Sequence, residues 1–299
     1  MSILLVNMIS AKLKHSLMNL SNIFLFACIF LIPASGQSSQ NISYEISGEE
    51  RIWLTQFFTD IMLTERGIYT LCGSSKPITL IVVDTYSEKE AKAFFNALTE
   101  DEKKEYCEIE EYSLPETWQK WEEISRRFSM PRFRFFKTGL FQSPDAFFVL
   151  FVDILKTALI IQENYGLFQK AVGFDFHPLE VALEIDKSDS KFWKKIEGHS
   201  NLFGLLFGFG KTNSTIFHWK HFDHPKACEE FCQKIPSSSS CELIKGKVKF
   251  SIDHFDIPSF ISFGEYDEVV EKYKEERSRI KQMYQGHDFL DLTLKKLTH

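Results

Sequence analysis

The stretch SPDAFFVLFVDILKTALIIQENY, from Ser143 to Tyr165, is an almost unbroken apolar run that any fold of this chain must bury. Only Asp153 and Lys156 interrupt its middle. They leave no run of about 18 uncharged residues, the least that a bilayer-spanning helix requires. Ser143-Pro144-Asp145 is a helix-start signature, so the run is expected to form a core helix buried on most sides. Covering such an element takes a large apolar surface from the rest of the chain. With 44% apolar residue types and 30 phenylalanines among 299 residues, that surface is available and should be largely aromatic.

The flanking sequence sets the fold class. Ile52, Phe57, Phe58, Ile61 and Met62 recur near helical spacing. KPITLIVVD, Lys76 to Asp84, is a β-branched run that predicts a buried strand. Ser87 and Glu90 form a capping box ahead of another helix. Pro115 opens a helix that Pro131 ends, and RFRFF, Arg132 to Phe136, alternates like an exposed strand. Shorter helices are expected at Pro178–Ile185 and Asp189–Ile196, and strands at KVKFSI and SFISF. The charged segment Tyr266–Tyr284 predicts a solvent-facing helix laced by i,i+4 pairs. The expected fold is therefore α+β and mainly α-helical, a helical core around the buried apolar helix with a small β component. A mixed helix and strand part would span 37–138 and a mainly helical part 139–299, the two separate or one continuous domain.

Residues 1–36 have the three-part form of a secretory signal peptide. Lys12, Lys14 and His15 precede the apolar run Ile23–Ile32, and Pro33 and Ala34-Ser35-Gly36 lead to a cut before Gln37. The expected location is periplasmic or secreted. The alternative is a membrane anchor made of residues 23–32, although a run of that length is short for a bilayer. Removing 1–36 takes away Lys12 and Lys14 and no acid, which moves the formal charge from −6 to −8. No basic block remains to neutralise phosphates, so no nucleic-acid partner is expected. Export also favours oxidised cysteines. Of Cys72, Cys107, Cys228, Cys232 and Cys241, the last three are the disulfide candidates, since the turn-like Pro236–Ser240 can fold Cys241 back.

GLLFGFGKTNS, Gly204 to Ser214, ends in the Gly-Lys-Thr of a phosphate-binding loop, but the count fails. The first glycine should stand at position 205, which is Leu, and bulky side chains would block close approach of phosphate. No nucleotide site is expected. Packing accounts for the glycines instead: Gly204 and Gly208 on one helix face, Gly210 as a positive-φ helix stop, and Asn213 or Ser214 as the next cap. VGFDFHPLE, a Trp-bearing charged helix and LFGLLFGFGKTNSTIF follow one another between Ser143 and Trp219. In that order they resemble a family of exported proteins from Chlamydia-like bacteria that has no assigned function. Asn213 and Phe217 match positions of its pattern. The resemblance implies an envelope or secreted location and brings no catalytic residues.

HWKHFDHPKACEEFC places His218, His221, His224, Cys228 and Cys232 at spacings of three or four, which on one helix would line up zinc ligands. Pro225 breaks that helix midway, and no cofactor is expected, with zinc the alternative. Asp175 and His177, like Asp253, His254 and Asp256, are acid–base candidates that turn and cap duties explain as well. The expected function is a non-enzymatic exported binding or interaction module for a protein or small ligand, touching membrane only through an uncleaved N-terminus. The alternative is a metal-dependent or acid–base hydrolase-like enzyme using the cluster 218–232 or Asp175/His177.

Overall fold

The apolar stretch that begins at Ser143 changes secondary structure at Asp153. Ala146–Asp153 is a β-strand and Ile154–Glu163 is a helix, which corrects the expectation of one buried helix. The computed structural model describes residues 45–85, 113–143, 146–223, 237–240 and 251–299, with positions 93, 96, 97 and 99.

Three strands make the main sheet: β1 (Ile78–Asp84), β2 (Phe133–Ser143) and β3 (Ala146–Asp153), in the order β1-β3-β2 and antiparallel throughout. Central β3 pairs Val152 with Ile78 on one edge and Phe151 with Phe135 on the other. A strand with neighbours on both edges and cover on both faces reads as a continuous apolar run, as a buried helix does. The difference lies in the β-branched and aromatic content of AFFVLFV and in Asp153. Its carboxylate accepts the Lys156 amide at 3.1 Å and so caps the following helix.

Alternation along β3 separates two cores. On one face Phe151 stacks on Phe135 at 4.3 Å, and Phe135 meets Trp121, which stacks in turn on Phe57. This aromatic layer joins the sheet to α1 (Gly48–Thr59, continued by a π-helical turn), α2 (Gly67–Cys72) and α3 (Leu114–Ile124). Reciprocal Ser/Glu capping boxes start α1 at Ser47 and α3 at Ser113. The opposite face carries Leu150 and Val152 into a cluster built by α4 (Ile154–Glu163), α5 (Tyr165–Val172), α6 (Pro178–Leu183), α7 (Lys191–Ile196) and α8 (Ser200–Leu206). The fold is α+β and mainly α, and residues 46–299 form one compact unit. Strand β2 runs through positions 138 and 139.

After α8 come α9 (Lys211–His218, extended by a π-helical turn to Asp223), the small pair β4 (Ser237–Ser239) and β5 (Ile261–Phe263), α10 (Glu268–Tyr284) and α11 (Phe289–Thr298). Helix α10 is not simply solvent-facing. Tyr273, Glu276, Ile280 and Tyr284 form a buried stripe beneath its charged face. Glu276 Oε1 accepts the Ser74 amide at 2.9 Å and the Ser74 and Ser75 hydroxyls at 2.7 and 2.8 Å, fixing α10 to the loop before β1. The Ser87 capping box, most of KVKFSI, and Cys107, His224, Cys228, Cys232 and Cys241 lie outside the described residues.

The glycine roles differ from expectation at two of three positions. Gly204 does allow close approach, since a Cβ there would collide with Ser214 of α9. Gly208 is not on the helix face but one residue beyond the cap, at φ +81°, and is the left-handed stop of α8. Gly210, also at positive φ, opens α9 and does not end α8. Asn213 and Ser214 are then helix-interior residues and not caps. Gly208→Ala would combine positive φ with a clash against Tyr273 and the Ser75 carbonyl. It should cost about 2–4 kcal/mol in urea denaturation. Gly166→Ala, in a helix with open space around it, should instead gain about 0.5 kcal/mol; equal effects would contradict these assignments.

Burial also makes a pH prediction. Lys76, just ahead of β1, is 7% exposed, and burial pushes its ammonium down to about 8 against a smaller opposing pull from the Glu65 carboxylate. In the unfolded chain it stays protonated up to its ordinary 10.5. Between those values the unfolded state binds more protons, so stability at this position rises with pH. Relative to Lys76→Met, the wild type should gain about 2–3 kcal/mol from pH 7 to pH 10. The difference between the two proteins cancels the buried hydroxyls of Tyr69, Tyr273 and Tyr284, which burial pushes up and which act oppositely at high pH. A difference that stays constant with pH would contradict the buried ammonium.

Candidate functional site

A cavity of about 540 Å³ opens beside the glycine stretch, and seven phenylalanines line it. Leu140 and Phe141 reach it from the end of β2, and Phe203 and Phe207 from α8 and its cap. Phe217 and Phe222 come from α9 and the turn after it, Phe260 and Ile261 from the start of β5. The rings support one another: Phe141 meets Phe203 at 5.6 Å, Phe203 meets Phe207 at 5.8 Å, and Phe209 stacks on Phe260 at 5.2 Å. Such offset and edge contacts fix ring positions beyond what burial alone provides.

The glycine break makes this wall possible. Gly208 turns the chain sharply after α8, and Gly204 lets α9 fold back against α8 at Ser214. Asn213 then holds the turn from inside. Its amide donates to the Phe209 carbonyl at 3.0 Å and to Asp267 at 2.8 Å, and its carbonyl oxygen accepts the Phe263 amide at 3.1 Å. One buried side chain thus ties α9, the start of α10 and β5 around the cavity.

The polar side chains of the lining are Glu197, Ser200, Asn213 and Ser214. Asn213 is engaged as above, and the Ser214 hydroxyl donates to the Gly210 carbonyl at 2.6 Å. Ser200 makes a different contact. Its Oγ lies 2.8 Å from His218 Nδ1, and His218 Nε2 lies 3.6 Å from an Asp223 carboxylate oxygen. The His218 ring stacks on Phe222 at 5.3 Å and faces His199 at 6.4 Å, which fixes its plane.

Among the described residues, the other sequence candidates do not converge. Asp175 is exposed and accepts from Gln169 at 2.5 Å, while His177 is exposed at the start of α6. No hydrogen bond or ion pair joins the two. His221 is exposed against Phe217 at 4.4 Å. His254 pairs with Ser251 at 3.2 Å, whereas Asp256 is buried 3.6 Å from Arg277. Among the described residues no three His, Cys, Asp or Glu side chains are grouped to hold a metal ion. Also among them, Cys72 is a free thiol, and burial pushes it up. Lys211 and Thr212 are exposed on the first turn of α9. No helix among the described residues is long and apolar enough to cross a membrane.

Sequence reasoning placed His218 in a metal cluster and gave neither Ser200 nor Asp223 a part in a site. His218 and Asp223 share one sequence segment, but eighteen positions and a chain reversal separate Ser200 from His218. Only the glycine break announced that reversal. Comparison with protein-family models, with curated proteins and with solved structures yields no match to this chain.

Proposed function

We propose that this chain is a binding module for an elongated apolar ligand of the acyl-chain kind, taken up in the phenylalanine cavity. One observation carries the reading: a preformed space of about 540 Å³ walled by seven phenylalanines and a few polar groups. Its size falls within the roughly 300–1,000 Å³ usual for small-ligand sites, and its walls suit hydrocarbon. Residues 1–36 and the resemblance to exported proteins support action in the bacterial envelope or outside the cell, with anchoring through residues 23–32 as the alternative. Acidic balance argues against nucleic acid as the partner. The zinc alternative turns on His224, Cys228 and Cys232, which lie outside the described residues.

Titration of the full chain with a fluorescent polyene fatty acid tests this directly. The wild type should bind it saturably, and the ligand should raise the melting temperature in proportion to occupancy. Leu140→Trp, which fills the cavity from β2, should weaken binding at least about tenfold, the equivalent of roughly 1.4 kcal/mol. Asp175→Asn and His177→Ala should leave binding unchanged. Absence of saturable binding, or binding indifferent to Leu140→Trp, would refute the proposal.

A further inference from the structure

We propose that Ser200, His218 and Asp223 form a hydrolytic set at the cavity wall, and that the ligand is an acyl ester cleaved there. The inference rests on the acyl-binding reading of the same cavity and names its chemistry. Four observations support it. Ser200 lines the cavity, so a carbonyl at the end of a bound chain can reach its hydroxyl. Ser200 is the first residue of α8, one past the cap position held by His199, and its hydroxyl meets the His218 ring. That ring is held between His199 and Phe222, and Phe222 is itself a lining residue. On its far side the imidazole faces a carboxylate, that of Asp223. Nucleophile, base and orienting acid thus stand in the order that acyl transfer requires.

The tautomer with its proton on Nε2 presents the Nδ1 lone pair to the Ser200 hydroxyl and directs its N–H at Asp223. When Ser200 Oγ attacks the ester carbonyl, His218 Nδ1 takes the hydroxyl proton, and the imidazolium is stabilised by Asp223. Collapse of the tetrahedral adduct breaks the bond to the alcohol oxygen, which leaves with the proton from Nδ1. Acyl-Ser200 remains. Water then attacks this second ester, gives one proton to Nδ1, and releases the carboxylic acid as the proton returns to Ser200 Oγ. The sum is ester plus water to acid plus alcohol, with the enzyme restored. Asp223 is 53% exposed and 3.6 Å away, so solvent screens its contribution and its removal should cost less than removal of the other two.

Rates of p-nitrophenyl acetate and p-nitrophenyl decanoate hydrolysis by the full chain test the inference, together with labelling by a fluorophosphonate and peptide mass analysis. The decanoate should be the better substrate by at least about tenfold in kcat/KM, because only its chain fills the cavity. Ser200→Ala and His218→Gln should each lose about 10³-fold or more, Asp223→Asn about tenfold. The fluorophosphonate mass should appear on the peptide containing Ser200, a readout that needs no variant. Ser200→Ala should still bind the polyene fatty acid saturably, which separates chemistry from binding. A wild type that binds the fatty acid but neither hydrolyses esters above the buffer rate nor is labelled at Ser200 would overturn the hydrolytic role and leave the binding reading intact. Failure to bind the fatty acid would remove both.

Discussion

The Asp153 carboxylate, fully buried, is shared by three elements. It accepts from the Arg132 guanidinium at 2.6 and 3.0 Å and lies 3.1 Å from the Lys156 ammonium, while its other oxygen caps α4. Lys156 in turn donates to the Thr70 carbonyl of α2. Its ammonium is pushed below its ordinary range by burial, against the pull of Asp153. The strand cannot continue past this point, because a charged and hydrogen-bonded side chain replaces the next apolar pair. The helix must begin there, because the same carboxylate satisfies its first free amides. Removing Asp153 or Lys156 generally costs about 3–5 kcal/mol, since the other is left charged and dry, whereas Arg132 is 41% exposed and solvent screens its share. The main sheet, α2 and the first helix of the second core are thereby held at one fixed junction.

From that junction the chain reaches the cavity by packing and a few buried hydrogen bonds. Helices α4 to α8 join one buried cluster with Leu150 and Val152 of the sheet, with Phe168, Phe192 and Trp193 inside it. The Trp193 indole donates to the Val181 carbonyl at 2.7 Å and so locks α7 to α6. This brings α8 beside the end of β2, where Phe141 meets Phe203. Gly208 then reverses the chain under the Tyr273 hydroxyl, which donates to the Gly208 carbonyl at 3.0 Å. With α9 held by Asn213, the aromatic rings that face each other across the turn cannot close together. The space they leave is a consequence of the frame, and both the hydrocarbon wall and the Ser200–His218 contact follow from it.

Much of this was legible in the sequence, for reasons that can be named. Capping chemistry is local, so Pro115 and the periodic residues Ile52 to Met62 mark their helices correctly. β-Branched runs with turn residues around them mark β1 and β5. The run from Ser143 failed because periodicity does not distinguish a strand buried on both faces from a buried helix. Asp153, which looked like a charge tolerated inside a helix, was the boundary. The glycines were identified as packing elements, but assigning Gly208 to a helix face required knowing where α8 ends, and that depends on Tyr273 and Ser75 far away in sequence. The Ser200–His218 contact was not legible at all, since it arises from a chain reversal between α8 and α9. Asp175 and His177 illustrate the converse: neighbours in sequence beside a proline, they stand at exposed positions with no hydrogen bond joining them.

What unites the frame, the turn and the cavity is the claim that residues 46–299 hold a preformed hydrocarbon site between β2, α8, α9 and β5. A crystal structure of the full chain grown with decanoic acid tests this most directly. The expected result is a single ordered chain among Phe141, Phe203, Phe207 and Phe260, its carboxylate end beside Ser200, with the surrounding backbone unmoved. Rings collapsed into a filled core, or fatty acid bound only elsewhere on the surface, would contradict it.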